Sequence, residues 1–241
     1  LVGEHGTDVA LYKSVEYAGS AVHDLSMAGR FSMANMWVEL GAKFAIFPCD
    51  DKTLEYLDNK MIRPPNPAVA DSDAQYEATY NLDVTNLAPY VALPHDPGNT
   101  APIHDISPEK IKIDQAFIGS CTNARMEDFY MAARILKGRK VASDVRLIAT
   151  PASQLIWEQC LKEGIWEVLA EAGAVITNST CGACPGMHMG VLADEEVCIS
   201  SSNRNFQGRM GSPKSSVYLA NPATVAASAI AGHIADPREY L

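Results

Sequence analysis

Short apolar runs alternate with amphipathic stretches through the second half of the chain. Five of these runs predict β-strands, at residues 113–118, 145–150, 174–177, 197–200 and 217–219. Helices are predicted over 127–136, from Pro151 onward, and from Pro222 to about Ala235, with Asn221 as the N-cap of the last one. Short strands that alternate with helices indicate an α/β fold with a mainly parallel sheet.

The first half of the chain is less regular. Its apolar spacing predicts a helix over 7–27, a strand over 43–47 that ends at Pro48, and a helix over 51–60. Residues 63–75 are loop-like, and two further strands are predicted at 76–84 and 90–93. The proline-rich segment 94–108 predicts a domain boundary, with one three-layer α/β/α domain at 1–105 and another at 106–241.

Cysteines follow two of the predicted strands. Cys121 comes after strand 113–118, and the pair Cys181 and Cys184 comes after strand 174–177. Ligands of parallel sheets bind beyond the carboxyl ends of the strands, so these positions suit a site. Three thiolates can hold an iron–sulfur cluster and leave one iron without a protein ligand, open to act as a Lewis acid.

Spacing alone leaves other roles open for the CxxC pair. His188 follows closely and could complete a structural zinc site with Cys181, Cys184 and Cys121, and a redox pair is a further alternative. The remaining cysteines are predicted to be buried, inert thiols: Cys49, Cys160 and Cys198.

Charge narrows the classes of ligand. The 241-residue chain has a net charge of −10, which argues against nucleic acid as a partner. Arg204 and Arg209 lie in a loop rich in serine, asparagine and glycine, where two guanidinium groups suit a di- or tricarboxylate; exposed surface arginines are the alternative. No segment reads as membrane-spanning and no signal peptide opens the chain, which predicts a cytoplasmic protein.

Together these segments resemble the aconitase superfamily, and within it the large subunits of the isopropylmalate and homoaconitate types. Four motifs carry the resemblance in order along the chain: Asn35-Met-Trp-Val-Glu39-Leu-Gly-Ala42, Ile118-Gly-Ser-Cys-Thr-Asn123, Thr180-Cys-Gly-Ala-Cys184 and Ser202-Asn-Arg-Asn-Phe-Gln-Gly-Arg209.

The resemblance implies a hydro-lyase that dehydrates and rehydrates a 2-hydroxy acid, and it favours leucine biosynthesis as the pathway. It implies that Cys121, Cys181 and Cys184 ligate a [4Fe–4S] cluster that is labile in air, with Asn203 close to the cluster sulfurs. It also assigns substrate carboxylates to Arg204 and Arg209, and it places Asn35 and Glu39 in the same site, with Glu39 near the reacting oxygen.

Two parts of the superfamily pattern are missing. No Asp-Ser-His-Thr segment is present, and neither is the swivelling domain, which in the isopropylmalate type is a separate small subunit. The chain also begins at Leu1 rather than Met. We therefore expect the middle and C-terminal domains of a large subunit, which need a small-subunit partner and cannot turn over alone.

Overall fold

The computed structural model describes residues 2–241, which divide into two compact units. Residues 8–87 form the first unit, and residues 2–7 together with 88–241 form the second. The predicted boundary at residue 105 falls within a helix of the second unit, Ile103–Ile106. The predicted α/β class with a mainly parallel sheet is confirmed.

Helices and strands follow one another in short elements. The described helices are α1 (Val2–His5), α2 (Ser20–Asp24), α3 (Met27–Met36), α4 (Asp51–Leu57), α5 (Ile103–Ile106), α6 (Met126–Leu136), α7 (Gln154–Lys162), α8 (Ile165–Ala172) and α9 (Pro222–Ala231). The strands are β1 (Ser14–Glu16), β2 (Phe44–Ile46), β3 (Tyr90–Ala92), β4 (Thr100–Pro102), β5 (Gln115–Ile118), β6 (Arg146–Ala149), β7 (Val175–Ile176), β8 (Val197–Ser200) and β9 (Ser216–Ala220). Single 3-10 turns span Trp37–Leu40, Ser107–Glu109 and Pro237–Glu239.

The first unit is built around a two-stranded parallel sheet and a buried ion pair. Strand β1 pairs with β2. Arg30 is 2% exposed, and its Nη1 and Nη2 donate to the two carboxylate oxygens of Asp50 at 2.7 and 2.6 Å. The guanidinium holds the pKa of Asp50 well below its usual value. A bidentate pair of this kind fixes α3 to the N-terminus of α4, where Asp50 is also the N-cap.

Two predictions for the first unit are wrong. The helix expected over 7–27 is replaced by a turn, β1 and α2, because backbone groups there bond to distant residues: Tyr12 N–H donates to the Gly41 carbonyl oxygen and Lys43 N–H to that of Lys13. The strand expected over 76–84 does not form, since every residue in that range is exposed and no neighbouring strand pairs with it. Helix α3 was not predicted.

A seven-stranded sheet organises the second unit, in the order β4-β3-β9-β8-β5-β6-β7. The five strands from β9 to β7 are parallel, and β3 and β4 are antiparallel additions at one edge. From β5 the chain proceeds outward through β6 to β7 and then returns to β8 on the other side of β5. The strand order therefore reverses between β5 and β8, and ligands of such sheets bind at this reversal.

The two faces of this sheet are covered differently. Helices α6, α8 and α9 pack on one face around buried Ile118, Leu147 and Ile199. The opposite face, which carries Phe117 and Ile148, is covered by residues from two long connections, 177–196 and 201–215. Among the described residues these connections hold no helix, so loops replace the third layer that the sequence predicts. The same two loops carry the CxxC pair and the arginines.

Other predicted boundaries in the second unit differ from those in the structure. Helix α7 begins at Gln154 rather than at Pro151, because the Ser153 hydroxyl caps it by accepting from Ile156 N–H at 3.3 Å. Helix α9 ends at Ala231 instead of Ala235. The segment 94–108, predicted as a break, contains β4 and α5, because Ile103 and Ile106 are buried in the core. Helix α8 was also missed.

Candidate functional site

The loop after β5 presents Cys121 at the carboxyl edge of the sheet. Strand β5 is buried along its whole length, and the Cys121 side chain that follows it is exposed. The Thr122 hydroxyl lies 3.7 Å from the Cys121 sulfur. Helix α6 begins directly after this loop and carries Glu127 and Asp128 in its first turn.

The CxxC loop follows β7 on the same edge. Cys181 is exposed and Cys184 is half-buried, and Cys184 N–H donates to the Cys181 carbonyl oxygen at 3.1 Å, which closes a tight turn between them. At the strand ends, the Thr150 and Thr177 hydroxyls share a hydrogen bond of 2.8 Å, and Thr150 N–H donates to the Ile118 carbonyl oxygen at 2.8 Å. These bonds join the carboxyl ends of β5, β6 and β7.

The loop after β8 carries Asn203, Arg204 and Arg209. Asn203 is 8% exposed, and both arginine side chains are partly exposed. Asn205 between them is fully buried and donates from Nδ2 to the Leu93 carbonyl oxygen at 2.7 Å, which attaches the loop to the end of β3. The Asn205 Oδ1 atom is buried without a hydrogen-bond partner.

Hydrogen bonds join the Cys121 loop to the arginine loop. Asn123 Nδ2 donates to the Ser201 carbonyl oxygen and to Asn203 Oδ1, both at 2.6 Å. Asn203 Nδ2 donates to the Thr122 hydroxyl at 3.2 Å. The Ser201 hydroxyl accepts from Gly119 N–H at 3.0 Å. Side-chain hydrogen bonds therefore hold the two loops together beyond the ends of the paired strands β5 and β8.

The arginine loop also contacts the CxxC loop. Arg209 Nε donates to the Cys184 carbonyl oxygen at 3.0 Å. Gly186 packs so closely that a Cβ placed there would lie 3.0 to 3.1 Å from backbone atoms of residues 209–211. The second unit thus brings to one edge of its sheet the three loops that carry six predicted site residues: Cys121, Cys181, Cys184, Asn203, Arg204 and Arg209.

Asn35 and Glu39 belong to the first unit. Asn35 is an exposed residue near the end of α3, and Glu39 is a half-buried residue of the 3-10 turn that follows. The same turn buries Trp37 and Leu40, whereas Val38 between them is exposed.

Electrostatics at the Cys121 edge are set by Arg125 and Asp128. Arg125 donates from Nε to the Thr122 carbonyl oxygen at 3.3 Å, and from Nη2 to that of Cys121 at 3.4 Å. Asp128 accepts from Arg125 N–H at 2.9 Å. Burial raises the pKa of Asp128 to about 6, against the opposing effect of this hydrogen bond. The cation of Arg125 thus lies beside two acidic residues, Glu127 and Asp128.

The other cysteines are placed as buried or half-buried groups. Cys160 on α7 and Cys198 in β8 are fully buried, and burial raises the pKa of each thiol to about 12. Such thiols are protonated at neutral pH and do not ligate metals. Cys49 is half-buried.

A single-ion site does not fit the donor arrangement. Within residues 2–241, no group of three or more histidine, cysteine, aspartate or glutamate side chains is arranged to hold one metal ion. His188, the fourth ligand of the zinc alternative, shares a hydrogen bond of 3.0 Å between its Nε2 and the Thr180 hydroxyl. In a cluster each thiolate binds its own iron, so its three ligands need not converge on one point.

Sequence reasoning assigned no role to the residues that join these loops. Asn123 ends the motif that begins at Ile118, yet nothing in its spacing marks it as a bridge to Ser201 and Asn203. Arg125 and Thr150 lie outside all four motifs. A hydrophobic pattern predicts which residues are buried, but it carries no signal for hydrogen bonds between segments far apart in the chain.

Comparison with known proteins shows the family of the chain. Residues 1–232 match the model of the aconitase family (aconitate hydratase). Three relatives are named 3-isopropylmalate dehydratase large subunit or large subunit 1. They come from Nitratiruptor sp. (51% identical over 240 residues, 99% of this chain), Methanopyrus kandleri (51% over 241, 100%) and Pyrococcus abyssi (52% over 240, 100%).

The chain belongs to the aconitase family. It spans 57% of the length of each of these three relatives. No helix in residues 2–241 is both long enough and apolar enough to cross a membrane.

Proposed function

We propose that this chain is the cluster-bearing part of a hydro-lyase large subunit that isomerises a 2-hydroxy dicarboxylate by dehydration and rehydration. The observation that carries the proposal is the meeting of the Cys121, CxxC and arginine loops at one edge of the sheet, joined by the bonds of Asn123 and Arg209. The three named relatives point to 3-isopropylmalate as the substrate and to leucine biosynthesis as the pathway. A homoaconitase-type substrate is the alternative.

The donor set fits a [4Fe–4S] cluster. Cys121 and Cys181 are exposed and Cys184 is half-buried, whereas Cys160 and Cys198 are buried. Cys121, Cys181 and Cys184 would hold the cluster. Bound there, it would supply a Lewis-acid iron without a protein ligand that polarises a substrate hydroxyl.

The remaining residues bind and orient the anionic substrate. Arg204 and Arg209 hold its carboxylates, because guanidinium groups bind carboxylates in a bidentate manner. Asn203 sits between these arginines and the Cys121 loop, and its amide is oriented by Asn123 and Thr122. The proposal also includes catalytic roles for Asn35 and Glu39, with Glu39 acting near the reacting oxygen of the substrate. Replacement of Glu39 by Gln tests this: in the complete enzyme we expect a loss of turnover with cluster content unchanged.

The proposed function also implies a partner subunit and a cellular location. The words "large subunit" in the relatives' names suggest a small subunit that completes the enzyme. We propose that the 241-residue chain binds cluster and substrate but does not turn over by itself, and that it acts in the cytoplasm. Turnover of isopropylmalate by the isolated chain at a normal rate would contradict this.

Anaerobic reconstitution tests the central claim. After treatment with iron and sulfide, we expect about four irons and about four sulfides per chain. Replacement of Cys181 by Ser should abolish the uptake. Replacement of Cys160 by Ser, a buried thiol outside the site, should leave it intact. Zinc without sulfide in the purified chain would instead support a zinc-stabilised binding module.

A further inference from the structure

Asn123 joins two loops that are distant in sequence. Its Nδ2 donates at 2.6 Å to the carbonyl oxygen of Ser201 and at 2.6 Å to Oδ1 of Asn203. A side-chain amide nitrogen carries two protons, so both of its donors are used in these bonds. Asn123 therefore ties the loop after β5 to the loop after β8, across the point where the strand order reverses.

The same bonds determine how Asn203 is oriented. The Asn203 side chain turns Oδ1 toward Asn123 and Nδ2 toward the Thr122 hydroxyl, at 3.2 Å. That hydroxyl in turn lies 3.7 Å from the Cys121 sulfur. A continuous set of contacts thus runs from the Cys121 thiol through Thr122 to Asn203, with Asn123 setting the direction of the Asn203 amide.

Burial of the neighbouring polar groups favours a single orientation of the Asn203 side-chain amide. Asn203 is 8% exposed and Ser201 is 2% exposed, so water competes poorly for these polar groups. A buried polar group that loses its partner is costly, and a rotated Asn203 amide would place two nitrogens against each other. The buried setting therefore favours one arrangement of the two loops.

We propose that Asn123 is a positioning residue that couples the Cys121 loop to the loop of Asn203 and Arg204. The inference rests on the proposed function, in which the first loop holds the cluster and the second holds the substrate. Through this coupling, the position of the cluster ligand and the orientation of the substrate-binding loop are set together.

Replacement of Asn123 by Asp tests the coupling in the chain without cluster. The carboxylate has nearly the same shape but no protons to donate, so both bonds are lost. We expect amide hydrogen exchange to become about tenfold faster or more in peptides that cover 119–124 and also in those that cover 201–205. Exchange in β6 should not change. Asn221→Asp is the matched control, because Asp caps helix α9 as well as Asn does.

Cluster-loaded protein provides a second readout. We expect Asn123→Asp to bind iron and sulfide close to the wild-type amount, because every cysteine remains. The electron paramagnetic resonance spectrum of the reduced cluster should shift. About tenfold more 3-isopropylmalate should be needed to perturb that spectrum. A purely structural role would lower the cluster content without a change in the spectrum of the cluster that remains.

The outcomes separate the coupling from the proposed function. If wild-type chain takes up no iron and sulfide, the proposed function fails, while the exchange measurement still decides the coupling. Faster exchange confined to 119–124, with 201–205 unchanged, would overturn the coupling. If Asn123→Asp does not fold, Asn123→Ala replaces it, since it also removes the donors to the Ser201 carbonyl oxygen and to Asn203 Oδ1. Wild-type exchange at 201–205 and a wild-type spectrum in that variant would also overturn it.

Discussion

The Nε–H group of Arg209 donates a hydrogen bond to the carbonyl oxygen of Cys184 at 3.0 Å. This bond connects a residue proposed to bind substrate with a residue proposed to hold the cluster. Because the Nε–H group already donates to the backbone, only the terminal Nη groups of Arg209 are available to bind a carboxylate. The guanidinium is thus oriented by the CxxC loop before any substrate arrives.

Replacement of Arg209 by Lys should separate charge from orientation. Lysine keeps the positive charge but lacks the planar fork that contacts the Cys184 carbonyl and a carboxylate at once. Hydrogen bonds to charged groups contribute about 1.5–3 kcal/mol, so we expect 3-isopropylmalate to bind the reconstituted chain about 10- to 100-fold more weakly. Calorimetric titration measures this. Arg134→Lys, on the exposed surface of α6, is the control, and equal affinities for both variants would refute the role of Arg209.

Alkylation of the native chain should divide its cysteines into two classes. Cys121 and Cys181 are exposed and should react with iodoacetamide at pH 8 in the chain without cluster. Cys160 and Cys198 are fully buried, with pKa values raised to about 12, and should react only after unfolding. Mass spectrometric mapping after a timed pulse distinguishes the classes. Labelling of Cys160 at the rate of Cys181 in the native chain would contradict the structure.

Cluster loading should then lower the iodoacetamide reactivity of Cys121, Cys181 and Cys184 alone. If Cys121, Cys181 and Cys184 are ligands, anaerobic reconstitution should protect all three from iodoacetamide, and removal of the iron with a chelator should restore their reactivity. Cys49, which is half-buried and outside the proposed ligand set, provides the internal control, because its reactivity should not change on loading.

Asp128 should make stability fall as the pH rises. Burial raises its pKa from 3.8 to about 6 in the folded chain, so the folded state binds this proton more tightly than the unfolded state. The resulting contribution to stability is fully present below about pH 4 and is lost as the pH rises through about 6.

Replacement of Asp128 by Asn should remove this pH dependence. The amide oxygen still accepts from Arg125 N–H, while the buried charge is gone. The shift corresponds to at most about 3 kcal/mol, and loss of a negative charge at the N-terminus of α6 offsets part of it. We expect the variant to be about 1–2 kcal/mol more stable at pH 7, measured by urea unfolding between pH 4 and 7.5. Glu171→Gln, on the exposed surface of α8, should keep the wild-type slope.

The strands of the second unit could be predicted because their apolar runs are short, buried and separated by turns. Strands β5, β6, β8 and β9 lie within one or two residues of the predicted limits. The helix predicted over 7–27 failed for the opposite reason. Its apolar spacing is compatible with a helix, but the backbone around Tyr12 and Lys13 pairs with the segment that leads into β2, which no local pattern encodes.

The candidate site could likewise be predicted only in part. The cysteines and arginines of the candidate site were predicted from residue type and position after strands, since ligands bind at that edge of a parallel sheet. The bonds of Asn123 and Arg209 were not found, because each links segments that become neighbours only when the chain folds. The third layer of the second unit was predicted to be helical, but it consists of two loops whose Leu192 and Met210 pack against the sheet.

Gly186 and Gly138 allow the packing of the CxxC loop to be measured with a matched pair. Both adopt a left-handed backbone, with φ of +66° at Gly186 and +73° at Gly138, so an alanine at either position carries a similar conformational cost of about 1 kcal/mol. Around Gly138, which follows α6, a Cβ would meet nothing within 4 Å; at Gly186 it would lie 3.0 to 3.1 Å from backbone atoms of residues 209–211. We expect Gly138→Ala to cost about 1 kcal/mol and Gly186→Ala about 3 kcal/mol in urea unfolding. Gly186→Ala alone should also speed alkylation of the half-buried Cys184, since relief of the contact separates the CxxC loop from the arginine loop. Equal costs for the two variants would mean that these loops do not pack on each other.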